Sequence, residues 1–161
     1  MRAGLGVGGR VIRTHGDYHL GQVLKTRDGF VIIDFEGEPA RPLAERRAKL
    51  SPLRDVAGML RSLDYAAHAV AFRRPEADRA RALAALTAWE KLAREAFLDG
   101  YRRAVAGSAA PLVPESESDF RRACAAFELE KAGYELRYEL DNRPDWVAIP
   151  LAGITRILES G

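Results

Sequence analysis

Two short stretches hold most of the reactive side chains in a pattern that could do chemistry. They are His15-Gly16-Asp17-Tyr18-His19-Leu20-Gly21-Gln22 and, further along, Ile32-Ile33-Asp34-Phe35-Glu36. Carboxylates separated in this way suit transfer of a phosphoryl group from a nucleotide to a hydroxyl. One carboxylate orients the hydroxyl and takes its proton. A second, with an amide or carbonyl oxygen, holds Mg²⁺ on the phosphates. Asp17 fits the first role; Gln22 and Asp34 fit the second. A lone His-Gly-Asp is common, and an Asp on a loop is often a turn residue. Asp34 is harder to dismiss. Its neighbours Val31, Ile32, Ile33 and Phe35 are apolar, and a carboxylate among them is costly unless a charge meets it.

The elements that must position these residues are local. Val23–Thr26 and Phe30–Phe35 read as strands around Arg27-Asp28-Gly29, and Asp-Gly is a strong hairpin signal. The hairpin brings Asp17, Gln22 and Asp34 towards one place. From Pro52 onward the pattern is helical. Ser51-Pro52 opens a first helix that Pro75 stops. A long second helix over 76–106 carries Leu83, Leu86, Ala93, Phe97 and Tyr101 on one face. Ser116-Glu117-Ser118-Asp119 caps a third, expected to end at Gly133. Shorter helical pieces follow at Tyr134–Leu140 and Trp146–Leu158, the last broken at Pro150. Asp55 falls early in the first helix. Trp89, Phe97, Tyr101 and Trp146 are at helical spacing and read as core, with sugar stacking as the alternative. Arg41, Glu45, Arg46, Arg47 and Lys49 form a charged loop, either solvated or meeting phosphate and sugar hydroxyls.

An H-x-D, an oxygen-bearing side chain five positions later and an Asp after the next hairpin follow the order of kinase catalytic and metal-binding loops. More specifically, H-G-D-Y-H-L-G-Q-V-L, I-I-D-F-E-G-E-P-A-R-P-L-A-E-R-R and S-P-L-R-D-V-A-G-M-L-R-S resemble the C-terminal lobe of bacterial maltokinases, from about Ile12 to Ala67. These enzymes are also found fused behind trehalose synthase and resemble aminoglycoside phosphotransferases in fold. The resemblance implies an α+β, mostly α-helical architecture: the C-terminal lobe of a kinase-like fold, with a catalytic-loop β-hairpin followed by a helical bundle. It implies an enzyme that uses ATP and Mg²⁺ to convert maltose to maltose 1-phosphate in α-glucan, glycogen and trehalose metabolism. By the same resemblance Asp17 is the catalytic base, and Gln22 and Asp34 bind the metal. His15 braces the loop and Asp55 hydrogen-bonds its backbone. Tyr18, His19 and Glu36 are candidate substrate contacts. Two other functions stay open: a kinase of another small alcohol such as an aminoglycoside, and a non-catalytic sugar-binding or docking remnant.

A kinase of this kind also needs a nucleotide lobe with a Gly-rich cover and a strand lysine. Gly4-Leu5-Gly6-Val7-Gly8-Gly9 formally matches G-x-G-x-x-G, but strand-like Val11-Ile12-Arg13 follows where a helix is required. Residues 1–10 therefore read as a flexible leader. Residues 11–161 read as the lobe, with the catalytic loop and hairpin over 11–50 and the helical part over 51–161. The expectation is a truncated chain, inactive alone. Apolar surface near the hairpin is expected to favour self-association or a partner, either the missing N-terminal lobe or trehalose synthase.

Composition sets the outer limits. The 161 residues suffice for one domain. A net charge of +2 draws the chain to neither nucleic acid nor a membrane surface. No apolar run approaches the ~20 residues of a membrane helix, and the single Cys124 suits a reducing compartment. The expected location is cytoplasmic.

Overall fold

The computed structural model describes residues 10–39 and 41–159, so the Gly4–Gly9 pattern lies outside the described residues. Two short antiparallel strand pairs precede the helices. β1 (Ile12–Arg13) pairs with β4 (Lys49–Leu50), Ile12 opposite Leu50, and closes the base of the loop-rich segment between them. The hairpin forms at the expected turn. β2 (Val23–Lys25) runs against β3 (Phe30–Ile32), with Val23 opposite Ile32, and the Thr26 N–H donates to the Gly29 carbonyl at 2.9 Å. β3 is shorter than the apolar run suggested. Asp34 has φ +61°, a left-handed conformation that Asp tolerates better than most residues, and this bends the chain out of the strand.

After a single turn, α1 (Leu43–Arg46), four helices follow: α2 (Leu53–Phe72), α3 (Glu76–Val105), α4 (Glu117–Asn142) and α5 (Ala148–Glu159). The Ser51 hydroxyl accepts the Leu53 N–H at 3.3 Å, and the Ser116 hydroxyl accepts the Asp119 N–H at 3.3 Å, so both helices start where capping residues place them. Leu53, Val56 and Leu60 of α2 meet Leu98 of α3, Val113, and Phe120, Ala123 and Cys124 of α4 in the apolar core. Each Leu, Val or Phe among them contributes about 1.5–3 kcal/mol of transfer free energy. Burial also pushes the Cys124 thiol up to about 12, so it stays protonated and unreactive.

Three sequence expectations need correction. Gly133 does not end α4, which runs on to Asn142. A glycine stops a helix by taking a left-handed conformation, and Gly133 has no positive φ. The piece expected at 134–140 is therefore part of α4. Pro150 does not break the last helix. It sits in the first turn of α5, where backbone N–H groups have no intrahelical partner to lose. Finally, α3 buries fully only Glu90 and Leu98; Leu83 and Leu86 stay half-buried. Charged groups fill the contact of α3 with its neighbours around Glu90 and Arg94, while Phe97, Tyr101 and Val105 pack against the apolar core. Arg94 and Arg156 pair with Glu90, Glu128 and Asp64 across α2, α3, α4 and α5. No helix among the described residues is long and apolar enough to cross a membrane.

Candidate active site

The loop after β1 holds its shape through contacts that fix the backbone. Asp55, in the first turn of α2, accepts the His15 N–H at 2.7 Å and the Gly16 N–H at 2.9 Å. Burial outweighs these two bonds and raises the Asp55 carboxyl above its ordinary value. His15 is buried and bridges two segments. Its Nε2 lies 2.7 Å from the Ile33 carbonyl; a carbonyl can only accept, so Nε2 carries the hydrogen. Nδ1 then accepts the Asp17 N–H at 3.4 Å. Gly16 has φ +87°, and a Cβ there would stand 3.0 Å from the Gly37 Cα. The loop also lies directly on α2. A Cβ on Gly58 would come within 2.6 Å of the Tyr18 carbonyl oxygen, so only glycine permits this approach.

Asp17 opens into a cleft of ≈ 590 Å³ between this loop, the 37–46 segment, α2 and α4. His19 Nε2 lies 3.9 Å from one Asp17 oxygen, and Lys131 Nζ of α4 lies 3.9 Å from the other. His19 Nδ1 accepts the Gly21 N–H at 3.0 Å and starts the 3-10 turn at Leu20–Gln22. Tyr18 tilts against the His15 ring at 5.5 Å; burial, then the Asp55 charge, raises its hydroxyl. Tyr18 and His19 both line the cleft.

Gln22 and Asp34 meet each other but do not line this cleft. The Gln22 Nε2 lies 3.1 Å from Asp34 Oδ2. A cation between them would draw on the Asp34 carboxylate and, after the amide turns over, the Gln22 oxygen. Among the described residues, no group of three or more His, Cys, Asp and Glu side chains could hold a metal. Two oxygen donors fit Mg²⁺, which keeps water and phosphate oxygens in its shell. Glu36 is exposed, does not line the cleft, and accepts Arg46 Nη1 through its main-chain carbonyl at 3.3 Å.

The far wall comes from α4, which sequence reasoning missed. Lys131, Tyr134, Glu135, Tyr138 and Glu139 recur at helical spacing along it and all line the cleft. The expected stop at Gly133 had split this stripe in two, and its i, i+4 repeat of Tyr-Glu was the available signal. Tyr134 hydrogen-bonds Glu38, which pushes its hydroxyl up to about 12. Burial would raise Glu38, but Tyr134, Lys131 and Arg41 outweigh it and hold the carboxyl below its usual value. Tyr65 donates to Glu139 at 2.9 Å. Burial raises Glu135, although Arg61 and Lys131 resist. Of the charged loop, Arg41, Glu45 and Arg46 line the cleft, whereas Arg47 and Lys49 do not. Trp89, Phe97, Tyr101 and Trp146 lie outside the lining; Trp146 stacks on Tyr65 at 6.2 Å.

No family model matches the chain. A glucosamine kinase of Streptacidiphilus jiangxiensis is 32% identical over 148 residues, which cover 92% of this chain and 32% of the relative. One from Mycolicibacterium smegmatis is 34% identical over 154 residues, covering 94% and 35%. Its homologues are sugar kinases. A solved glucosamine kinase in complex with glucosamine, ADP and inorganic phosphate superposes with a TM-score of 0.77 at 32% identity, over 94% of this chain and 34% of that one. A solved glucosamine kinase in its crystal form A gives 0.78 at 31% identity, over 95% of this chain and 36% of that one. The chain thus spans about a third of the length of the curated relatives it matches. Its mostly helical architecture with few short strands is consistent with part of an α+β kinase-like fold.

Proposed function

We propose that this chain is the acceptor-binding, proton-accepting part of an ATP-dependent sugar kinase. The observation that carries this is the shared cleft: Asp17 opens into one volume with the tyrosines and glutamates of α4, in a chain whose relatives are named glucosamine kinases. Carboxylates and phenols accept and donate the hydrogen bonds that sugar hydroxyls need. In the reaction an acceptor hydroxyl oxygen bonds to the γ-phosphorus as the bond from that phosphorus to the ADP oxygen breaks. Asp17 takes the hydroxyl proton. Asp55 and His15 hold the loop that carries it, and Tyr18 and His19 wall the acceptor. Gln22 and Asp34 would hold Mg²⁺, which offsets the charge on the phosphates when bound; Glu36 lies nearby in sequence as an additional carboxylate. Residues 11–161 then act as one lobe.

An amino sugar is the acceptor we favour. A cationic ammonium suits a wall that carries Glu135, and the relatives' name points the same way. Maltose is the second reading, favoured by the spelling of the H-G-D-Y-H-L-G-Q segment. The exposed hairpin supports the expectation of a partner that brings the nucleotide. Phe30 is 70% exposed and Phe35 56%, with Leu24, Val31 and Ile32 also uncovered, a patch of the kind that marks an interface.

Calorimetry of the chain with glucosamine and with maltose separates these acceptors. Glucosamine binding with no heat from maltose is the expected result; heat from neither sugar overturns the acceptor site. Turnover is tested in a complete kinase carrying this lobe. There Asp17→Asn is expected to lower the rate about 10²–10⁴-fold with sugar affinity kept, and full turnover overturns the base assignment.

A further inference from the structure

Arg61 sits in the middle of α2 with its side chain 0% exposed. Its Nε donates to Glu135 Oε2 at 2.7 Å, and Nη1 donates to Asp64. Nη2 is buried and has no hydrogen-bond partner. The guanidinium lies 5.7 Å from the centre of the Tyr65 ring. Gly153 of α5 also stands against the guanidinium, where any Cβ would overlap Nη1. Asp64 is itself fixed from α5, accepting from Arg156 at 3.1 and 3.2 Å. Arg156 reaches Glu128 at 3.1 Å, and Glu128 holds Arg94 of α3 through two bonds at 2.9 and 2.6 Å. Arg61 therefore links a cleft-lining carboxylate to a frame anchored on four helices.

Buried ion pairs are poor sources of stability, since apolar replacements of the same volume often do as well or better. A fully buried arginine with a glycine cut out to receive it has another use. We propose that Arg61 is a positioning residue for the acceptor: it fixes the orientation and charge of Glu135 on the cleft wall, and Gly153 supplies the space its guanidinium requires. This rests on the cleft being the sugar site. A bond from Nε to Oε2 leaves Oε1 to a ligand hydroxyl or ammonium group. The charges around Glu135 come from α2 (Arg61, Asp64 and the Tyr65 hydroxyl) and from α4 (Lys131). Asp64 raises the carboxyl as burial does, while Arg61 and Lys131 lower it. Losing Arg61 leaves Lys131 alone against burial.

Two measurements on the whole chain test this: the carboxyl ¹³C titration of Glu135 by NMR, and glucosamine affinity by calorimetry across pH. Arg61→Met is expected to weaken glucosamine about 10–100-fold, the loss of one charge-assisted hydrogen bond. The Glu135 midpoint rises, and the acid limb of binding rises with it. Arg61→Lys, which keeps the charge without the planar fork, recovers part of both. Gly153→Ala, which displaces the guanidinium, shifts both in the direction of Arg61→Met and serves if that variant does not fold. An unchanged Glu135 titration and unchanged affinity in a folded variant overturn the proposal. If wild type binds no glucosamine while the Glu135 titration still follows Arg61, positioning stands and the acceptor site is what fails.

Discussion

The hairpin and the helical interior distribute their side chains in opposite ways. The hairpin turns Leu24, Phe30, Val31 and Ile32 to solvent, whereas the helices bury Arg61, Asp64, Glu90 and Glu128. A strand pair that left its apolar residues uncovered would gain nothing from them in the isolated chain, so its sequence suits a surface that something else completes. The charged interior carries a different lesson. Its members each have a partner on another helix, so the cluster fixes how α2, α3, α4 and α5 sit together, where an oily contact would tolerate sliding. One region presents apolar side chains outward, and the other aligns its helices through paired charges. Asp17 lies on the loop that precedes the hairpin and rests on α2, where the two regions meet.

The contrast can be tested at that junction first. Gly58→Ala forces a Cβ to 2.6 Å from the Tyr18 carbonyl, and relief requires moving the loop off α2. The expected cost is about 1–3 kcal/mol, read as a lower Tm, together with weakened sugar binding. An unchanged Tm would show that the loop is not seated on α2. A smaller effect is expected on the hairpin. Phe30→Ser removes a side chain that is 70% exposed and has Lys25 Nζ 4.6 Å from its ring centre. Unfolding free energy then stays within about 0.5 kcal/mol of wild type, while self-association in light scattering decreases. A large loss of stability would mean that the hairpin face is core after all.

The smallest effect concerns pH. Glu38 is held below its ordinary value by Tyr134, Lys131 and Arg41 against the pull of burial. A carboxyl depressed in the folded state contributes stability that is present above its unfolded value and lost as pH falls through its folded value. Acidification from about pH 4.5 downward therefore loosens the 36–39 segment from α4. Amide exchange of that segment should show it in wild type, and Glu38→Gln should flatten the acid dependence. If the acid dependence persists in Glu38→Gln, another carboxyl is responsible.

How much of this was legible in the sequence follows from the range of each interaction. The hairpin at Arg27-Asp28-Gly29 and the caps at Ser51 and Ser116 were readable because turn and cap chemistry acts over a few residues. Gly133 and Pro150 carried real local signals that the structure overrides, one by staying helical and one by its place in a first turn. The far wall was not legible. Lys131 meets Asp17 only because α4 folds back beside the loop after β1, and no spacing along the chain encodes that approach. The same holds for Glu90, a charged residue on a helix face that periodicity assigned to apolar packing, and for Gly153, whose reason lies in Arg61 of another helix. The spacing of Asp17, Gln22 and Asp34 pointed to one shared site, yet Gln22 and Asp34 pair away from the cleft into which Asp17 opens.

The His15 ring has one further consequence. Its two nitrogens are a fixed distance apart in a flat, stiff ring, and they touch two different segments: the Ile33 carbonyl at 2.7 Å and the Asp17 N–H at 3.4 Å. Such a ring acts as a spacer of set length. The end of β3 and the backbone of Asp17 keep their separation as long as both bonds hold, so a displacement of the end of β3 reaches Asp17 through one imidazole.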